Sequence, residues 1–210
     1  DLGGKPMVVR VAERAALSGA DEIWVATDHP EVLAAVEQCG LPVMLTRADH
    51  PSGTDRLAEV VESRGWSDDT IVVNVQGDEP LIEPELIDEL AAVFAEDAAL
   101  QMATVKTPMS TQAEMQNPNN VKVVTDKNGY ALYFSRSLLP YPRVPHGRPV
   151  YKHIGIYAYR RDFLLAFGLL QLRFLLLRAD CLSDNIHTEQ NRRSNLPVLL
   201  FLCVRSLSVQ

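Results

Sequence analysis

The sequence predicts an α/β fold, a mainly parallel sheet covered by helices, with an antiparallel hairpin elaboration. Three observations predict it. Short apolar runs alternate with amphipathic helical segments through the first hundred residues, which is the βαβ pattern of a parallel sheet buried on both faces. After Leu100 the text changes to β-rich runs flanking Asp126-Lys127-Asn128-Gly129, and an Asn-Gly pair between such runs marks a hairpin. The chain has 210 residues, 47% hydrophobic and 22% charged, enough for one sizeable globular core.

Taken in order, Pro6 suits a helix start. Val8, Val11, Ala12 and Ala15 then follow helical spacing up to Gly19. Residues 22–26 (EIWVA) form a strand closing on Thr27-Asp28. Pro30 opens a helix that Gly40 stops, and residues 42–45 (PVML) are a second strand. Thr54 is expected to cap a helix over 55–64, with Leu57, Val60 and Val61 as its apolar stripe. Residues 70–75 are a third strand and 84–95 a third helix. Strands over 102–107, 121–125, 130–134 and 152–159 (KHIGIYAY) follow, with an extended proline-rich loop at 137–149. From about Gly168 the chain turns leucine- and arginine-rich, with neither helix caps nor convincing periodicity, and reads like the product of a shifted reading frame. One domain over 1–167, with 101–160 as its antiparallel part, and an atypical tail over 168–210 are therefore expected.

The net charge of −7 excludes a general binder of nucleic acid, which concentrates positive charge. Cys39, Cys181 and Cys203 are odd in number and far apart, which fits free thiols in a reducing cytoplasm. Residues 1–10 lack an apolar leader core. The most apolar stretches, 163–177 and 196–204, fall short of the roughly 20 residues a spanning helix needs. A soluble protein with no membrane partner is expected.

Ligands of parallel sheets gather at the carboxyl ends of the strands, where Asp28, the loop after Leu45 and Asp78 fall. In the run VNVQGDEP, Gly77 permits close backbone approach and Asp78 sits on a rigid strand end. A hard carboxylate there suits Mg²⁺, which takes one or two carboxylates plus phosphate oxygens and water. Gln76 can offer a donor and an acceptor to a base or sugar. The same run also fits a plain polar turn with Asp78 solvated. In TRADHPSGT, Arg47 can pair a phosphate, and Ser52, Gly53 and Thr54 offer hydroxyls and N–H groups at a helix start, although an ordinary helix-entry loop reads alike. His153 and Tyr157 share one face of an extended strand, and Arg136 would suit a substrate carboxylate.

These runs, with ATDHPEV, NPNNVKVVTDKNGYALYFSR and KHIGIYAYRRDFL, closely resemble the 3-deoxy-manno-octulosonate (Kdo) cytidylyltransferases over about residues 3–165. The resemblance implies a nucleotide-diphospho-sugar transferase-like, Rossmann-like fold and formation of CMP-Kdo and pyrophosphate from CTP and Kdo. It further implies Mg²⁺, a homodimer, and a place in lipopolysaccharide biosynthesis in a Gram-negative cytoplasm. Carried over by residue, Asp78 is the metal ligand and, with Gln76, the catalytic pair. Arg47, Ser52, Gly53 and Gln76 fall on the nucleotide side, and Arg136, His153 and Tyr157 on the sugar side, where the antiparallel part also meets a second subunit.

The sequence departs from that family in two places. It opens after the family's first strand and its glycine- and arginine-bearing phosphate loop. Neither the Leu-Glu-Gln helix nor the Gly-Val-Asp-Thr turn, with its second metal aspartate, follows Phe167. An open slot at the centre of the sheet and weak or absent turnover are therefore expected. A CMP-sialate synthetase-like enzyme and a non-catalytic nucleotide-binding remnant are the alternative readings.

Overall fold

The computed structural model describes residues 2–143, 147, 149–167, 177–181 and 198–204. Helix α1 (Met7–Ala15) starts directly after Pro6 and buries Val8, Val9, Val11, Ala12 and Ala15. Strand β1 (Glu22–Thr27), α2 (Pro30–Gln38, proline in its first turn), β2 (Val43–Leu45), α3 (Gly53–Arg64), β3 (Ile71–Gln76) and α4 (Pro84–Glu96) continue the alternation. Then come β4 (Met102–Met109), α5 (Gln112–Gln116), β5 (Lys122–Thr125), β6 (Ala131–Ser135), β7 (Val150–Arg160), α6 (Arg161–Phe167), β8 (Leu177–Cys181) and β9 (Val198–Val204).

The cap of α3 differs from expectation. Ser52, not Thr54, precedes the helix in an extended conformation (φ −142°), and its side-chain oxygen accepts from Asp55 N at 3.2 Å. A serine three residues before a free N–H satisfies one of the orphan donors at a helix start. The helix ends at Gly65, whose φ of +65° is the left-handed conformation that glycine adopts without penalty.

The strands run in the order β2-β1-β9-β3-β7-β4-β8, with the β5–β6 hairpin attached to β7. Strands β2, β1, β9 and β3 are mutually parallel, β7 is antiparallel to both its neighbours, and β8 is parallel to β4. The hairpin closes as its Asn-Gly pair predicts, with Asp126 Oδ1 accepting from Asn128 N at 2.8 Å and Tyr130 N at 2.9 Å. Pairing of β4 with β7 jumps from Thr104↔Tyr157 to Val105↔Ile154, so Gly155 and Ile156 form a two-residue bulge.

One sheet face packs Ile71, Val73, Val75, Ala103, Val105, Ile156 and Ala158 against α1 and α4. The other packs Val72, Met102 and Tyr159 against Leu57, Val60 and Val61 of α3 and Leu164 of α6. Each such aliphatic side chain, fully buried, contributes about 1.5–3 kcal/mol.

The largest correction concerns the centre of the sheet. The slot expected to stand open between β1 and β3 holds β9, with Val198 opposite Ile71 on one side and Val204 opposite Thr27 on the other. A strand flanked by two parallel neighbours typically reads as an uninterrupted apolar run, which VLLFLCV is. Helix α5, with a Thr111–Glu114 capping box, and helix α6 were likewise not anticipated.

Leu200 pairs with Ile23 in β1 and Val73 in β3. Leu200→Pro removes a ladder donor from a central strand, so urea denaturation is expected to show a loss of about 1–3 kcal/mol, the cost of leaving the facing carbonyl unpaired. Unchanged stability would mean that the segment lies outside the sheet.

Candidate active site

The carboxyl ends of β2, β1, β9 and β3 lie along one edge, and neighbouring strands sit about 4.8 Å apart. The loop after β2 and the turn after β3 are therefore separated by about 14 Å along that edge. Because β7 runs antiparallel to β3, His153 lies beyond Tyr157 in the direction in which Gln76 and Asp78 lie beyond Asn74. The loop carrying Arg47, the turn carrying Gln76 and Asp78, and His153 thus lie toward one rim.

At the β3 end, Gln76 is half-buried and its carbonyl accepts from Glu79 N at 3.2 Å. Asp78 is exposed in the turn, and its carboxylate has no hydrogen bond or ion pair among the described residues. Among those residues no group of three His, Cys, Asp or Glu side chains converges on one point. The donor set suits a hard cation held mainly by a ligand's own phosphates, since Mg²⁺ needs only one or two protein carboxylates.

The loop after β2 is tied to α3 through Glu59. Its carboxylate accepts from Arg47 N at 3.1 Å and pairs with His50, whose side chain is almost wholly buried. Burial raises the carboxyl of Glu59, but the His50 and Arg47 hydrogen bonds and charges outweigh it, so it titrates below its ordinary value. The Arg47 guanidinium is exposed and only loosely paired, 3.8 Å from both Asp49 and Glu59. Such an exposed pair holds little energy and leaves the side chain able to move to an anion. Ser52 also donates to Asp55 Oδ2, so its hydroxyl is already engaged on both counts. Gly53 supplies the first residue of α3.

Sequence reasoning missed the ion pair that holds this rim together. Arg56, 3% exposed, meets Asp28 at 2.7 Å and donates to Thr46 Oγ1 at 2.5 Å. Thr46 Oγ1 in turn donates to Thr27 O at 3.1 Å. The carboxyl ends of β1 and β2 and the first turn of α3 are thereby locked together. Asp28 Oδ1 and Arg56 Nε are buried without partners among the described residues. The signal was present in the sequence, because Arg56 lies four residues before Val60 on the inward stripe.

On the antiparallel side of β3, alternation places Asn74 and Gln76 of β3, Thr104 of β4, and His153 and Tyr157 of β7 on one face. The two extra residues of the bulge preserve that parity. The His153 and Tyr157 rings lie 5.4 Å apart and Phe134 meets His153 edge-on at 5.0 Å. Burial pushes the His153 imidazole down to about 4 and the Tyr157 hydroxyl above its usual range. Asn74 Oδ1 is buried on that face without a partner among the described residues, and the sequence reading passed it over. Arg136 stands apart in an exposed position, donating to Pro118 O at 3.0 Å. Its carbonyl accepts from the buried Lys122 ammonium at 3.0 Å, which also donates to Asn117 O at 2.7 Å.

No helix among the described residues is long and apolar enough to cross a membrane. The Cytidylyltransferase family model matches residues 1–197. The fold is similar to a solved structure of CMP:2-keto-3-deoxy-manno-octonic acid synthetase complexed with CTP. The two share 41% identity at a TM-score of 0.79, over 87% of this chain and 81% of that one.

Arg56→Met strands the Asp28 carboxylate in the interior and is expected to cost about 3–5 kcal/mol. The double variant with Asp28→Asn should recover much of the loss, and thermal unfolding of the two proteins tests this. His153 binds its proton more weakly folded than unfolded, so between about pH 4 and 6.5 the unfolded chain carries more protons. Its contribution is fully present above that window and is lost as pH falls through it. Stability profiles of wild type and His153→Gln should converge in shape above pH 6.5 and diverge below it, the wild type falling more steeply.

Proposed function

Because the chain belongs to the cytidylyltransferase family, we propose that it activates Kdo, converting CTP and Kdo to CMP-Kdo and pyrophosphate. The observation that carries this reading is the likeness to a synthetase of that sugar nucleotide bound to CTP. The rim supports it with groups of the right chemistry. In the reaction the anomeric oxygen of Kdo attacks the α-phosphorus, loses its proton, and pyrophosphate departs with the electrons of the broken anhydride bond.

On this reading Arg47 leaves its loose acidic partners for a phosphate, beside Ser52 and Gly53 at the start of α3. Gln76 orients the base or sugar with its amide. Arg136 attracts the carboxylate of Kdo, and His153 and Tyr157 form one wall of the sugar pocket. Asp78 would hold Mg²⁺, which when bound would offset the charge of the phosphates. Positioning and electrostatics then supply most of the rate. The same family resemblance supports a homodimer working in the cytoplasm and supplying lipopolysaccharide biosynthesis.

Pyrophosphate release tests the reading. The expected result is release that requires CTP, Kdo and Mg²⁺ together and that drops about 100-fold or more in Asp78→Asn. Preference for sialate over Kdo would overturn the sugar assignment. Calorimetric CTP binding with no turnover under any condition would reduce the protein to a nucleotide binder.

A further inference from the structure

We propose that Thr104 is a positioning residue that fixes His153 as the Nε2–H tautomer, leaving Nδ1 as a neutral acceptor for a hydroxyl of the sugar acid. The inference rests on the sugar-side reading above and extends it to which substrate group His153 recognises.

The geometry assigns the protons. Thr104 Oγ1 has three close neighbours, Ile156 O at 2.7 Å, His153 Nε2 at 2.9 Å and Ile154 O at 3.2 Å. Both carbonyls can only accept, and two oxygens 2.7 Å apart repel unless a proton lies between them. The single hydroxyl proton of Thr104 is therefore directed to Ile156 O. The remaining contact requires the imidazole to donate, which puts the ring proton on Nε2. A neutral imidazole with Nε2 protonated carries its lone pair on Nδ1. Nδ1 has no hydrogen-bond partner among the described residues.

The bulge makes this arrangement possible. Gly155 and Ile156 interrupt the pairing between Thr104↔Tyr157 and Val105↔Ile154, so one threonine spans the carbonyls of residues 154 and 156 and the ring of residue 153. Phe134 and Tyr157 hold that ring from other directions. Burial resists protonation, consistent with an uncharged ring at neutral pH. A neutral acceptor suits a hydroxyl and gives no attraction to a carboxylate. The acid group of the substrate then falls to a cation such as Arg136.

The test uses the full chain with ¹⁵N-labelled histidine. In the ligand-free protein at pH 7, long-range ¹⁵N–¹H correlation should show a protonated Nε2 and a bare Nδ1 for His153. Thr104→Val should give a mixture of tautomers and raise KM for Kdo roughly tenfold with kcat little changed, the loss of about one neutral hydrogen bond. Thr104→Ser should restore both. Kdo added to wild type should move the Nδ1 resonance while the ring stays neutral. An Nδ1–H tautomer, a tautomer unmoved by Thr104→Val, no response of Nδ1 to saturating Kdo, or an imidazolium formed on adding Kdo would each overturn the proposal. Should Thr104→Val fail to fold, the wild-type spectra with and without Kdo still decide it. The ligand-free spectrum does not depend on turnover, so failure of the tautomer is separable from failure of the cytidylyltransferase reading, which pyrophosphate release reports.

Discussion

A central β-strand leaves no polar backbone group free on either side, and β3 is where that constraint bears hardest. It pairs in parallel with β9 and antiparallel with β7, so the sheet changes character across it. The parallel half brings the ends of β1 and β2 to the rim. The antiparallel half brings β7, its bulge and the β5–β6 hairpin to the same rim from the other side. The site exists because both halves are hydrogen-bonded to one strand. Without β9, β1 and β2 would lose their connection to β3, since no other strand among the described residues joins them to it.

Two kinds of electrostatics operate along the rim, and burial separates them. Around Asp28, Arg56 and Thr46 the charges are taken out of water, and their role is positional. Such a pair is costly to break and adds little net stability while intact. Around Arg47 and Asp78 the charges stay in water, where changing partners costs little. A site that must admit and release a highly charged ligand needs the second kind in front and the first behind. The face carrying His153 and Tyr157 replaces charge with uncharged polar groups, where burial lowers the affinity of the His153 imidazole for a proton and the Asn74 amide oxygen has no partner among the described residues.

Most of the fold was legible because its elements obey one period at a time. The βαβ alternation through α4, the hairpin at Asn128-Gly129 and the strand carrying His153 were all readable from pattern. The cap of α3 was missed because Ser52 and Thr54 are equally good capping residues and only the backbone decides between them. Strand β9 was missed for a deeper reason. A strand buried on both faces has no alternation to detect, and a leucine-rich run with neither period reads as debris. Around the rim, the sequence offered residues displayed at strand ends as candidates and passed over the residues that hold them. Arg56, Lys122 and Thr104 act by pointing inward, where charged or hydroxyl side chains look like breaks in an apolar pattern.

The bulge in β7 also limits how this chain can change length. Two extra residues leave His153 and Tyr157 on the same side of the sheet as Thr104, whereas one would turn His153 to the α1–α4 face. Loss or gain of a single codon between 153 and 157 would invert one wall of the site while preserving the reading frame and nearly all of the composition. Variation in this segment is therefore quantised: lengths differing by two preserve the inward and outward assignment of side chains, and lengths differing by one exchange it.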